Sequence, residues 1–100
     1  MYARTIRYDG ITEAEWEVGS GWFANDYLPI AEHTEGFEGA LLLVDRDKGN
    51  VISVTLWRDA ETAAASAAAV QQHLDHYEEM TGIPSPTETF EVAIDRLTRR

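Results

Sequence analysis

Two apolar runs with a short polar segment between them dominate the hydrophobic pattern of the chain. Residues 36–57 read GFEGALLLVDRDKGNVISVTLW, and residues 45–50 within them are charged, polar or glycine. Two such runs around a turn are typical of a β-hairpin. Apolar side chains occur on both faces of the two predicted strands, whereas a strand with one wet face alternates apolar and polar positions. We therefore expect both faces of the sheet to be covered.

A predicted strand and a predicted helix lie on each side of this hairpin. Alternation predicts strands over residues 2–8 (YARTIRY) and 88–94 (ETFEVAI). Helical spacing puts Trp16, Phe23, Tyr27 and Ile30 on one face of a first helix, and Ala63, Ala67, Val70, Leu74 and Tyr77 on one face of a second. The order β-α-β-β-α-β is the ferredoxin-like plan of the α+β class, in which two helices cover one face of a four-stranded antiparallel sheet.

The ends of the predicted helices carry recognisable signals. Thr12 and Glu15 fit a capping box at the start of the first helix, and Asp59 can cap the second. The triplet Gly19-Ser20-Gly21 interrupts the first helix. It favours two helical pieces, with Ser20 capping the second piece.

The second face of the predicted sheet has no helix to cover it. We therefore predict a homodimer in which two sheets pack face to face with two-fold symmetry. A chain of this size buries only about 60–65% of the surface that it exposes when unfolded, so a dimer would enlarge a modest core. The alternative is a monomer with an apolar sheet face.

Length and composition restrict the class of protein. The 100 residues make one domain, residues 1–100, and 44% hydrophobic residues suffice for a core. With 18 acidic and 8 basic residues the formal net charge is -10, a field that repels nucleic acid and anionic membranes. The apolar pattern predicts neither a signal peptide nor a membrane span, and hence a cytoplasmic location. The absence of cysteine excludes disulfides and thiolate chemistry.

A frame of residues around the hairpin is similar to that of a known family. Pro29 is followed by Gly36-Phe37-Glu38-Gly39, then by the turn, and then by Leu56-Trp57-Arg58-Asp59-Ala60-Glu61. This frame resembles the antibiotic-biosynthesis-monooxygenase-like branch of the dimeric α/β-barrel superfamily over most of the chain. That superfamily includes cofactor-independent monooxygenases, haem-degrading enzymes, isomerases and proteins of unknown role. The resemblance implies the fold and leaves the chemistry open.

Haem degradation is not supported by the residues at the matching positions. Haem-degrading relatives carry an Asn on the first strand and, in the second helix, a Trp and a haem-ligating His. Here the two helix positions hold Ser66 and Asp75, and the first strand has no Asn. His73 and His76 flank the ligand position, so haem binding without degradation stays a hypothesis. Otherwise no cofactor and no metal site is predicted.

Quinone-forming relatives hold a phenolic substrate, which itself reduces dioxygen, in a pocket between helices and sheet. This sequence supplies residues of the matching kinds as pocket candidates, namely Trp22, Asn25, Tyr27, Trp57, Ser66 and Val70. The catalytic candidates are His73, His76, Trp57 and Tyr77. The small side chains of the second helix would either let the helix approach the sheet closely or leave room for a hydrophobic ligand above the sheet. The competing structural interpretation makes Trp57 a core residue and the two histidines boundary residues.

Arg4 and Arg7 lie on opposite faces of the first predicted strand. We expect one of them to point inward and to pair with Glu91 or Asp95 of a neighbouring strand, with a substrate clamp as the alternative. Three functional hypotheses remain open. They are an oxygenase-like enzyme for an aromatic or polyketide-like compound, a non-catalytic binding or interaction dimer, and a haem-binding protein.

Overall fold

The computed structural model describes residues 1–97 and arranges them as four strands and two helical segments. In chain order these are β1 (Tyr2–Tyr8), α1 (Glu13–Trp22), a π-helical turn (Phe23–Tyr27), α2 (Leu28–Glu32), β2 (Phe37–Asp45), β3 (Asn50–Trp57), α3 (Ala60–Thr81) and β4 (Thr87–Glu91). The strands form one antiparallel sheet in the order β2-β3-β1-β4. The predicted ferredoxin-like β-α-β-β-α-β architecture is confirmed.

Side-chain caps fix where the helices begin. The Thr12 hydroxyl accepts a hydrogen bond from the backbone N–H of Glu15 at 3.2 Å, and the Glu15 carboxylate accepts one from the N–H of Thr12 at 3.0 Å. Asp59 accepts from the N–H of Thr62 at 2.8 Å at the start of α3. Gly82 ends α3 with a φ of 73°, a left-handed conformation that glycine adopts without a steric penalty. The predicted caps are confirmed.

The glycine triplet does not divide the first helical segment, so that prediction is wrong. Ser20 caps nothing; its hydroxyl donates to the carbonyl of Glu17 within the same helix at 3.3 Å. The chain instead stays helical and widens into the π-helical turn just after Trp22. A π-helical turn adds a residue without breaking the helix. It brings Phe23 and Tyr27 into the core as a stacked pair with ring centroids 5.3 Å apart.

The sheet face under the helices is a buried core. In β3 the residues that point to the helices are Val51, Ser53, Thr55 and Trp57, and all four are buried. In α3 the stripe Ala63, Val70, Leu74 and Tyr77 is buried as predicted, together with Ser66. Trp57 is fully buried between this stripe and the sheet. The covered face therefore holds nearly all of the core.

The opposite sheet face stays open to solvent in the chain. Leu41 and Leu43 of β2 pair with Val54 and Ile52 of β3, so the four side chains lie on this face. Leu41 is 51% exposed, and Phe90 of β4 is exposed to the same extent. Apolar side chains are therefore exposed on this face at both edge strands, β2 and β4.

Strand β4 ends earlier than the alternation predicts. It spans Thr87–Glu91 rather than residues 88–94, because its partner β1 begins at Tyr2, which pairs with Glu91. One further backbone hydrogen bond, from Val92 to Met1 at 2.9 Å, follows the strand. Among the helices of residues 1–97, none has the length and apolarity needed to cross a bilayer.

Candidate functional site

A small cavity lies between the first helical segment and the sheet. It has a volume of about 30 Å³, and its walls come from β1, β2, β3, α1, the π-helical turn and the C-terminal half of α3. The residues that line it include Tyr8, Glu15, Gly19, Trp22, Tyr27, Ser53 and Tyr77. A space of this size holds one or two water molecules, so a larger ligand needs side chains to move.

Three tyrosines and a tryptophan form the aromatic wall of the cavity. The ring of Trp22 lies 4.5 Å from that of Tyr77 and 5.6 Å from that of Tyr27, measured between centroids. Tyr8 approaches Tyr77 edge-on at 6.2 Å. Tilted and edge-on contacts of this type are favourable.

Two buried hydroxyl groups at the cavity have no hydrogen-bond partner among residues 1–97. They are Tyr27 Oη and Ser53 Oγ, on side chains that are 1% and 2% exposed. A buried polar group left without a partner costs about 1–3 kcal/mol. Since the fold retains both hydroxyls beside one cavity, the two form a polar pair that a ligand or water could satisfy.

An outer groove of about 250 Å³ lies next to the cavity. Val18, Thr81 and Ile83 line it, and Glu15 and Tyr77 belong to both spaces. Tyr77 therefore separates the cavity from the groove. Its hydroxyl would lie 2.9 Å from a Cβ at Gly19, too close for any larger side chain unless the ring moves. The glycine is needed for the present position of Tyr77.

Two tyrosines and one carboxylate at the cavity have pKa values that differ from their ordinary values. Burial raises the pKa of Tyr8 to about 12, although its hydrogen bond with the Ser85 hydroxyl at 2.8 Å acts in the opposite direction. Burial also raises the pKa of Tyr77, so both phenols keep their protons at neutral pH. Hydrogen bonds from the Thr12 backbone and side chain lower the pKa of Glu15. Glu15 is therefore an anion at the cavity wall.

Arg4 points inward, but the ion pair expected for it is wrong. Its Nη1 donates to the carbonyl of Ala63 at 3.1 Å and to the Ser66 hydroxyl at 2.6 Å, and its guanidinium lies over the Trp57 ring at 5.1 Å. These partners are neutral. Glu91, one of the expected partners, lies on β4 where the strand is uncovered, and its side chain is exposed to solvent instead. Arg7 lies on the solvent side and pairs with Asp9 at 3.2 Å.

The structure brings some of the predicted site residues together and separates the others. Trp22, Tyr27 and Tyr77 meet at the cavity. The candidates Trp57, Ser66 and Val70 are packed in the core under α3, with the Trp57 indole N–H donating to the Thr55 hydroxyl at 3.0 Å. Asn25 and His76 are exposed, and His73 is half-buried. Within residues 1–97, no group of three potential metal ligands lies close enough to hold an ion.

The sequence-based interpretation missed Ser53, Tyr8 and Gly19. Ser53 had a usable signal, since a serine stands on the strand face that also carries Trp57. Tyr8 belongs to the first strand's alternation and points to the same side as Arg4. Gly19 had no such signal, because its role depends on a tyrosine far along the chain.

Comparison by sequence gives distant relatives of unassigned role. No family model matches the chain. Two uncharacterized proteins from strains of Mycobacterium tuberculosis, MT2634 and Rv2557, are each 30% identical over 93 residues. The matches cover 93% of this chain, which spans only 41% of the length of these relatives.

Comparison by structure identifies the fold. A monooxygenase of Streptomyces coelicolor, ActVA-Orf6, solved with the ligand nanaomycin D, has a TM-score of 0.73 at 11% identity, covering 98% of this chain and 92% of that one. SnoaB, a cofactor-independent oxygenase of Streptomyces nogalater, has a TM-score of 0.62 at 20% identity, covering 94% and 93%. A dimeric ferredoxin-like protein from an uncultured marine organism has 0.65 at 10% identity, covering 98% of both chains. The protein therefore shares the ferredoxin-like α+β fold of these solved structures, the fold that the resemblance implied.

Proposed function

We propose that the protein binds a small hydrophobic aromatic compound in the cavity under α1 and oxidises it as a cofactor-independent monooxygenase-like enzyme. The observation that carries the proposal is the pair of buried, unpaired hydroxyls, Tyr27 Oη and Ser53 Oγ, beside the aromatic wall. An aromatic molecule with one polar substituent would satisfy these hydroxyls and stack on the rings. The oxygenases that share this fold give the proposal its reaction class.

The ligand enters through the outer groove in this proposal. The cavity of about 30 Å³ is too small for an aromatic molecule, whereas the groove of about 250 Å³ adjoins it across Tyr77. Rotation of the Tyr77 ring would join the two spaces. Glu15, also shared by both, puts a carboxylate at the junction, which disfavours anionic compounds and favours neutral phenols.

The proposed reaction needs no group beyond substrate and dioxygen. A phenol reacts with one dioxygen molecule to give a quinone and one water molecule; the phenol supplies all four electrons. The protein's part is to hold the ring, exclude water and bind the substrate oxygen with neutral hydroxyl groups. Glu15 is the carboxylate within reach of the cavity that can accept a proton, although its lowered pKa makes it a weak base.

1-Naphthol is a suitable probe, because its oxidation by dioxygen yields 1,4-naphthoquinone and water. Binding is measured by quenching of the intrinsic tryptophan fluorescence, since Trp16 and Trp22 both line the cavity, and turnover by oxygen consumption together with naphthoquinone absorbance. Tyr27→Phe and Ser53→Ala should each weaken binding about tenfold, the value of one hydrogen bond. Tyr2→Phe is the matched control, since Tyr2 is half-buried on the same strand face as Tyr8, and it should bind like the unmodified protein.

Three outcomes decide the proposal. Binding that both hydroxyl variants weaken, with oxygen consumption, supports the enzyme. Binding without oxygen consumption supports the second candidate, a non-catalytic ligand-binding dimer, which the weak basicity of Glu15 favours. Equal affinity in all variants, or no quenching, would contradict both.

We further propose that two chains pair through the open sheet face. Leu41, Leu43 and Phe90 are exposed there around β3, and the shared fold includes a dimeric protein. Burial of such a face is the ordinary way in which a sheet with one helix-covered side is completed. Sedimentation should give about twice 11.2 kDa. Leu43→Glu should give the monomer mass, whereas Val18→Glu, at an exposed apolar residue of α1, should not change the mass.

A further inference from the structure

A second buried polar group lies apart from the cavity, at the start of α3. The Arg4 side chain is 2% exposed, and its Nη1 donates two hydrogen bonds. Nε and Nη2 are buried and have no partner among residues 1–97. Within residues 1–97, no carboxylate oxygen forms a salt bridge with this guanidinium, whereas the exposed Arg7, Arg46 and Arg58 each have an acidic partner.

The two unpaired nitrogens belong to one edge of the guanidinium. Nε–H and the neighbouring Nη2–H point in parallel, and this edge binds the two oxygens of a carboxylate in a side-on pair. The hydrogen-bond and cation–π partners of the guanidinium among residues 1–97 are a carbonyl, a hydroxyl and the face of an indole, all uncharged. A full positive charge among neutral partners is unfavourable unless an anion offsets it.

We propose that the free edge of Arg4 is a binding site for a small carboxylate anion. The site is separate from the cavity, and the proposal does not depend on the function proposed above. The edge selects a planar anion with two oxygens, because it offers two parallel donors. The ring of Trp57 and the Ser66 hydroxyl hold the guanidinium in one orientation, so its two parallel N–H donors are preorganised for binding.

The uncovered strand β4 provides the route to this edge. Thr89 pairs directly with Arg4, and Thr87 and Glu91 lie on the same sheet face. All three are exposed, so Arg4 lies one strand away from solvent. The edge itself is covered in the structure, and binding therefore requires a local shift of the side chains next to β4. Glu91 at this entrance disfavours large polyanions and leaves small monoanions as the occupants.

Sodium formate is the probe, because formate is the smallest carboxylate. The readout is the Arg4 Nε–H cross-peak in a nitrogen–proton correlation spectrum, assigned by through-bond correlation to the Arg4 side chain. We expect formate to shift this cross-peak saturably and to raise the thermal midpoint of unfolding. Sodium chloride at equal concentration should give only the general salt effect that any acidic protein has, measured in parallel.

Two variants distinguish the effect of the paired N–H donors of Arg4 from the effect of its positive charge. Arg4→Lys keeps the positive charge and loses the paired donors, so the formate-specific rise in the thermal midpoint should disappear. Arg7→Lys, the same change on the other face of β1, should keep it. An Arg4 cross-peak that formate does not move, or that chloride moves equally, would overturn the proposal even if Arg4→Lys failed to fold.

Discussion

The layer between the helices and the sheet differs between its two ends. Under α1 and the π-helical turn, aromatic rings surround a cavity and leave two hydroxyls unpaired. Under the alanine-rich start of α3, Trp57 and Arg4 fill the space. The small side chains allowed either a close approach of the helix to the sheet or room for a ligand, and the close approach occurs: the helix backbone comes within hydrogen-bond distance of Arg4. At the α1 end, the rigid aromatic rings pack at offset angles, and the cavity is the space left between them.

The largest expected effect separates the two ends by their packing. Trp57→Ala should lower the free energy of unfolding by about 3–5 kcal/mol, because it removes a fully buried side chain from a filled region. Trp22→Ala should cost clearly less, since Trp22 is half-buried and already borders empty space. Urea denaturation followed by far-ultraviolet circular dichroism measures both. Equal losses would mean that the two ends are packed alike.

Replacing two buried serines by alanine should change the free energy of unfolding in opposite directions. Ser66→Ala removes an acceptor from the Arg4 guanidinium and should lower the free energy of unfolding by about 1.5–3 kcal/mol, the range for hydrogen bonds to charged groups. Ser53→Ala removes a hydroxyl that has no partner and should raise it by about 1 kcal/mol. The same denaturation experiment applies. A loss for Ser53→Ala would indicate that water already satisfies this hydroxyl.

The fold could be predicted from the sequence because its signals are local. The alternation of the hairpin strands, the capping pairs at Thr12 and Asp59 and the stripe of α3 each depend on residues close together in the chain. The exceptions have causes that the local pattern does not encode. The break at Ser20 was wrong because a π-helical turn accommodates the sequence, and β4 is short because β1 begins at Tyr2.

The candidate site could be predicted only in part, because it depends on distant pairs. Trp22, Tyr27 and Tyr77 were chosen for residue type and do meet at the cavity. Their meeting requires Gly19, whose contact with Tyr77 joins two helices and follows no spacing rule. For Arg4 the expected carboxylate partner was wrong. Whether a helix covers β4 depends on how the helices pack on the complete sheet, which residues close together in the chain do not determine.

High pH should lower the free energy of unfolding through Tyr8, which lies at the cavity end of the layer. The unfolded chain loses the Tyr8 proton near pH 10, and the folded chain keeps it to about pH 12, so the stabilising contribution of Tyr8 is complete below pH 10 and is lost as the pH rises from 10 to 12. The loss is at most about 2.7 kcal/mol, at 1.36 kcal/mol per pKa unit. Urea unfolding at several pH values measures it, and Tyr8→Phe should flatten the profile. Tyr77, with its raised pKa, adds a contribution of the same sign.

The smallest expected effect compares two glycines in one helix. A Cβ at Gly21 meets nothing within 4 Å, so Gly21→Ala should raise the free energy of unfolding by about 0.8–1 kcal/mol through helix propensity alone. Gly19→Ala gains the same propensity but forces the Tyr77 hydroxyl away from 2.9 Å. Urea denaturation should therefore give a smaller gain or a loss for Gly19→Ala. If both variants gained equally, the Tyr77 ring could move away from residue 19 without a cost in stability.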